Sequence, residues 1–211
     1  MVPWWDDPVD LERRWPLAGA SGLRDRLTAA YADPDRGYHD VLHLEEVLTR
    51  LDELRTHGVG FHPLTVPLAA WFHDSVYDGR PDAEERSARW AEEALPGAGV
   101  PPAQVAEVAR LVRLTERHDP EPGDVDGAAL CDADLAVLSS PPDRYRAYTE
   151  GVRREYAHVP ELAFRDGRSA VLRALLDRPH LFITAQAREQ WEAAARGNVS
   201  RELASLSAPP G

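Results

Sequence analysis

Residues 65–74 read TVPLAAWFHD, and their side chains decide the fold. Val66, Leu68, Ala69, Ala70, Trp71 and Phe72 leave no polar face at helical spacing, so the stretch predicts a helix buried on every side, in the centre of a larger assembly. It ends on His73 and Asp74, and so delivers an imidazole and a carboxylate into the interior. The dipeptide alone is a weak signal, because His-Asp also occurs at His39/Asp40 and His118/Asp119. Only His73/Asp74 closes a wholly apolar run.

Helical spacing continues on both sides of this segment. Upstream, Leu23, Leu27 and Tyr31 form one stripe from Ser21 to before Pro34. From His39 to about His57, Leu44, Val47, Leu48, Leu51 and Leu54 form another, with Gly58 as its stop. His39, His43 and Val47 share a face of that helix. Downstream, Asp82 and Glu85 read as a capping box for a helix through Leu95. Further helices are expected over Pro102 to His118, Ala128 to Leu138, the Tyr145 to Tyr156 stripe, Pro160 to Asp177 and Thr184 to Leu206. No stretch alternates as a strand would, and no period repeats. The expectation is an all-α, single-domain globule of about eight helices over residues 21–206. A Trp-rich N-terminal arm (1–20, with Trp4, Trp5 and Trp15), which would pack on the body or mediate homodimer formation, precedes it, and a frayed tail (207–211) follows.

Composition narrows the functional classes. A chain of 211 residues can bury a core that supports a preformed pocket. It has no apolar run long enough for a membrane span and no signal-peptide pattern at its start, so the expected location is cytoplasmic. A net charge of −12 argues against broad binding to nucleic acid or anionic membranes. All 24 basic residues are arginine, a bias whose planar fork also suits phosphate. The single Cys131 forms no internal disulfide or zinc ribbon, so any metal must be held by His and carboxylates.

Imidazole with carboxylate suits zinc, manganese, iron or magnesium, and favours open catalytic sites. A lone His on an apolar face is usually a satisfied core residue. Here, however, His43, His73, Asp74 and an acid of CDADL, Asp134 with Asp132 as competitor, come from three apolar helices. Burying such groups is costly unless a cation compensates them. His73 and Asp74 lie about 100° apart on the helix, and relaxation at the helix end lets both converge.

The order of these residues resembles the HD-domain metal-dependent phosphohydrolases: a His, then His-Asp about thirty residues on, then Asp before Leu. The wider pattern YADPDRGYHDVLHLEEVL, WFHDSVYD, EERSA, LTERH, DADLAVL, VRREY and FRDGR is similar to a small bacterial branch predicted to be such hydrolases, and covers about Tyr31 to Leu203. The resemblance implies a helical fold with one or two divalent ions at its centre. It also implies hydrolysis of phosphate mono- or diesters, often of nucleotides. His43, His73, Asp74 and Asp134 would be the ligands. Asp134 is preferred because Leu135 completes the family's Asp-Leu pattern, and Asp132 would then orient a ligand from behind. YHDVLH is also similar to the YHNxxH segment of cyclic-nucleotide phosphodiesterases. By that likeness His39 is the proton donor and His43 a ligand, although Asp40 replaces Asn.

On this reading a divalent ion lowers the pKa of its water from about 15.7 to about 7. Its charge also offsets that of the phosphoryl group, and His39 protonates the leaving oxygen. Arg36, His118 and Arg153 are candidates for substrate contact: Arg36 with a surface salt bridge as its alternative, His118 with a second ion or a helix-end dipole role as its alternatives, and Arg153 reading first as an ion pair with Glu150 or Glu155 and second as a phosphate contact. Asp78 and Glu84 would hold a metal water or orient a ligand. The expected partner is a small phosphorylated, nucleotide-like substrate. The alternative is a catalytically silent metal- or ligand-binding helical protein.

Overall fold

A computed structural model describes residues 10–207. Trp4, Trp5 and residues 208–211, parts of the expected arm and tail, lie outside the described residues. The helices are α1 (Leu11–Arg14), α2 (Ser21–Tyr31), α3 (Val41–Thr56), α4 (Thr65–Phe72) and α5 (Ala83–Ala94), then α6 (Pro102–Leu114), α7 (Val125–Leu135), α8 (Pro142–Glu155), α9 (Glu161–Asp177) and α10 (Ala185–Ser207). A 3-10 turn, Ala136–Ser139, extends α7. No strand occurs among the described residues, so the all-α expectation holds. Also among them, no helix is long and apolar enough to cross a membrane.

The sequence of α4 explains its place. Thr65, Val66, Leu68, Ala69, Ala70, Trp71 and Phe72 are all buried, and α3, α5, α6 and α7 pack around them. Each large side chain withdrawn from water contributes about 1.5–3 kcal/mol. Pro67 falls in the first turn, where its missing N–H has no intrahelical partner to lose. His62 supplies the cap: its Nδ1 accepts from the N–H groups of Leu64 (3.2 Å) and Thr65 (3.1 Å). Residues 10–20 lie against the same core. Leu11 is buried, and Trp15 meets Trp71 edge-on at 5.0 Å.

Helix α5 starts after Asp82 as expected, but its cap and the end of α6 differ from expectation. Asp82 adopts a left-handed conformation (φ 60°) and caps nothing with its side chain. Glu85 pairs instead with Arg113 (2.5 Å) and Arg89 (2.8 Å), so no capping box forms. The helix expected to reach His118 stops at Leu114, and a turn carries His118 at φ 50°.

Asp132 serves the fold. Its fully buried carboxylate accepts from the N–H groups of Ile183 and Thr184, both at 2.7 Å. It therefore anchors the start of α10 and does not orient a metal ligand. Glu46 of α3 and Arg144 of α8 form a buried two-pronged pair (2.5 and 2.6 Å), tying the first half of the chain to the second.

The loop before α3 touches α8 at two glycines. A Cβ on Gly151 would lie 2.6 Å from the Gly37 carbonyl oxygen, and one on Gly37 still closer to the Gly151 oxygen. Glycine inside a helix costs about 1 kcal/mol relative to alanine, and here it permits backbone-to-backbone approach. Gly151→Ala is therefore expected to lower thermal stability by about 1–3 kcal/mol despite its better helix propensity. A thermal melt checks this, and a raised midpoint would mean that the close approach is dispensable.

Candidate metal centre

His43 enters the site from the first turn of α3. Asp40 caps that helix, its Oδ1 accepting from Leu42 N–H (2.9 Å) and His43 N–H (3.2 Å). Asn and Asp cap equally well, so Asp in this place of the YHDVLH segment has a structural role. His73 follows α4 with helical backbone angles. Its Nδ1 lies 2.7 Å from the Ala70 carbonyl oxygen; donating there fixes the tautomer and turns the Nε2 lone pair towards His43. Asp74 takes the next position, with its N–H donating to the Tyr31 hydroxyl (3.2 Å). Asp134 arrives from the end of α7.

These four side chains meet. His43 Nε2 lies 3.3 Å from Asp74 Oδ2, 3.2 Å from Asp134 Oδ1 and 3.0 Å from His73 Nε2. His73 Nε2 lies 3.1 Å from Asp74 Oδ2. One ligand atom from each residue falls within 4.8 Å of all the others. Two imidazole lone pairs and two carboxylates facing one point require a positive charge between them, and a divalent cation fits that donor set.

Protons respond to the same field. Burial pushes the His43 imidazolium down, but hydrogen bonds to Asp134 and Asp74 outweigh it and raise its pKa to about 9. His73 is also raised, its burial overcome chiefly by Asp74. Asp74 and Asp134 are held well below the carboxylate range against their own burial, each chiefly by the charge of His73.

His39 stands beside this cluster, and its support comes from a residue given no site role by the sequence. Glu155 Oε2 is 2.8 Å from His39 Nδ1, while Oε1 accepts from the N–H groups of Gly37 (3.0 Å), Tyr38 (2.8 Å) and His39 (2.9 Å). Burial raises the Glu155 pKa, yet these partners, His39 foremost, bring it down to about 2. Tyr77 stacks on the His39 ring at 4.0 Å. The one sequence signal for this arrangement is Gly151, a glycine inside an amphipathic helix four residues before Glu155.

The other candidates separate. His118 Nε2 is 2.7 Å from Asp134 Oδ2, so it holds the carboxylate whose other oxygen faces His43. Arg36, expected near phosphate, donates instead to the carbonyls of His39 (2.6 Å), Asp74 (2.8 Å) and Ser75 (3.2 Å); it braces the end of α4 against the loop before α3. Arg153 is spent on Glu161 and on the carbonyls of Tyr156 and Val159, rather than on phosphate, Glu150 or Glu155. Asp78 pairs with Arg86 at 2.7 and 2.8 Å, away from the four ligands. Glu84 lines the cleft.

That cleft measures 590 Å³, within the range of about 300–1,000 Å³ usual for small-molecule sites, and His39, Asp74, His118 and Asp134 lie on its wall. Comparison with protein-family models, curated proteins and solved structures finds no match. What fold and site define is an all-helical protein whose buried His/Asp group can hold a divalent metal, an arrangement compatible with an HD-type site.

The two acids of CDADL should separate in solution. Asp132→Ala leaves two half-buried N–H groups without their acceptor, costing about 1–3 kcal/mol, or roughly 2–12 °C in Tm, with metal binding intact. Asp134→Ala should weaken metal affinity by more than about 100-fold, since loss of a mere supporting partner can already cost that much. Calorimetry with Mn²⁺ and thermal melts on both variants measure this; metal loss in Asp132→Ala alone would reverse the assignment.

Proposed function

We propose that the chain is a metal-dependent phosphohydrolase of the HD type, cleaving a phosphate ester of a small molecule. The observation that carries the reading is the meeting of four ligand atoms within 4.8 Å on a cleft that also exposes a carboxylate-supported histidine. His43, His73, Asp74 and Asp134 would hold one or two divalent ions. Bound there, such an ion supplies Lewis acidity towards water and phosphoryl oxygen.

The chain's own groups do the rest. Glu155 accepts from His39 Nδ1 and fixes the ring, leaving Nε2–H as the proton for the departing ester oxygen. Three backbone N–H groups fix the Glu155 carboxylate, and Tyr77 limits rotation of the His39 ring. His118 sets the orientation of Asp134. As water forms its bond to phosphorus and the ester P–O bond breaks, His39 protonates the alkoxide; without it the leaving group departs as an anion.

A panel of phosphate mono- and diesters, assayed with Mg²⁺, Mn²⁺, Zn²⁺ or Fe²⁺, tests the proposal. Metal-stimulated hydrolysis is expected, lost in His43→Ala and Asp74→Ala. His39→Ala should reduce kcat by about 10²–10⁴-fold while retaining metal. Glu155→Gln should reduce it less, with its effect greatest on substrates with poor leaving groups. Metal retention without turnover on any ester would instead favour a silent metal-binding protein.

A further inference from the structure

The walls of the cleft differ in character. One carries His39, Asp74, His118 and Asp134. The other, built by the 3-10 turn, α8, α9 and the loop between these two helices, presents Leu138, Val152, Val159, Phe164 and Val171. Val171 remains 52% exposed and Tyr156 43%, so the apolar surface continues to the rim. Leu138 and Val152 form the buried floor of this wall, Val159 and Phe164 are half-buried, and Val171 and Tyr156 stay open, α9 having only two buried residues, Ser169 and Leu172.

Charge on this side is already matched. Among the described residues lining the cleft, Arg168 is the one guanidinium, and the chain has no lysine. Arg168 donates to Glu202 (2.7 and 3.1 Å) and to the Tyr148 hydroxyl (2.8 Å). The Thr115 hydroxyl donates to the Val112 carbonyl. A polyphosphate chain entering here would lose water without gaining a free cation, an unfavourable exchange. Apolar groups face no such penalty, and each buried methylene is worth about fourfold in affinity.

We infer that the wall formed by α8, α9 and the 3-10 turn binds an apolar alkyl or aryl moiety, so that the substrate is a monophosphate ester of an apolar alcohol rather than a nucleoside polyphosphate. The substrate half of this inference rests on the hydrolase proposal; the binding half does not. Gly167 gives a handle on it: it lines the cleft, and a Cβ there would meet no atom within 4 Å. A larger side chain at that position fills the cleft without displacing the core.

The test uses the full chain and two probes. With EDTA present, the neutral fluorophore N-phenyl-1-naphthylamine should bind saturably and be displaced by 1-octanol. Gly167→Leu should weaken this binding at least tenfold while melting no lower than the parent, since it replaces a glycine in the interior of α9, and Val171→Arg, at an exposed position, should weaken it too. With Mn²⁺, non-hydrolysable alkylphosphonates should gain about fourfold in affinity per methylene, and ATP should compete poorly. No saturable dye binding, or dye binding unchanged in both variants, would overturn the apolar site. Affinity independent of chain length, or ATP outcompeting hexylphosphonate, would overturn the substrate class. Dye binding as expected with no phosphonate binding at any length would uphold the apolar site, but overturn the substrate class along with the hydrolase proposal.

Discussion

Two imidazole nitrogens 3.0 Å apart, flanked by two carboxylate oxygens, form an arrangement that apolar helices would not tolerate on packing grounds alone. Each of these groups gives up hydration on burial, and their lone pairs and charges repel unless positive charge lies among them. The surrounding architecture follows from holding that arrangement in place. A wholly apolar α4 anchors His73 and Asp74 from one side, a carboxylate-capped α3 turns His43 towards them, and α7 contributes Asp134. The cost of the convergence is met by burial elsewhere, which is why the most hydrophobic helix carries the most polar terminus.

A layer of supporting contacts converts that cluster into a defined cleft. Tyr31, the Ala70 carbonyl and His118 each hold one ligand side chain or its backbone. Arg36 gathers three carbonyls at the junction of α4 with the loop before α3, and its position over the Tyr31 ring adds a cation–π contact. Glu155 does the equivalent for His39, joining α8 to that same loop. Ligand geometry and acid geometry are therefore coupled through one loop, residues 33–40, and displacement of that loop disturbs both.

Much of this was legible in the sequence because hydrophobic periodicity is a local signal. The helices, the central role of α4 and the stop near Gly58 followed from spacing, and the structure agrees on the all-α class. The residues proposed as ligands stood out for the same reason: polar groups at the ends of apolar stripes are conspicuous. What was hidden depends on contacts across long separations. Glu155 lies 116 residues from His39, in a segment rich in charge, where one more glutamate carries no mark. Asp132 and Asp134 sit two residues apart, and only the resemblance, through its Asp-Leu pattern, favours Asp134 as the ligand. On α7 they face different neighbours, Asp132 the start of α10 and Asp134 the histidines. For Arg36 and Arg153 the sequence offers phosphate or a carboxylate as partner, because an arginine in a loop or at a helix end advertises charge, whereas the carbonyls that both hold are invisible in a sequence. Asp82 stands at the cap position, but its left-handed backbone, which no residue pattern announces, goes with a side chain that makes no cap hydrogen bond.

The central claim is that His43, His73, Asp74 and Asp134 together bind a divalent cation. Anomalous diffraction from crystals of the protein grown with Mn²⁺ or Zn²⁺ tests it most directly. The account predicts a strong anomalous peak within coordination distance of His43 Nε2, His73 Nε2 and one oxygen each of Asp74 and Asp134. Crystals soaked at saturating metal that show no such peak, with the two histidines instead hydrogen-bonded as an imidazolium pair to the carboxylates, would contradict it.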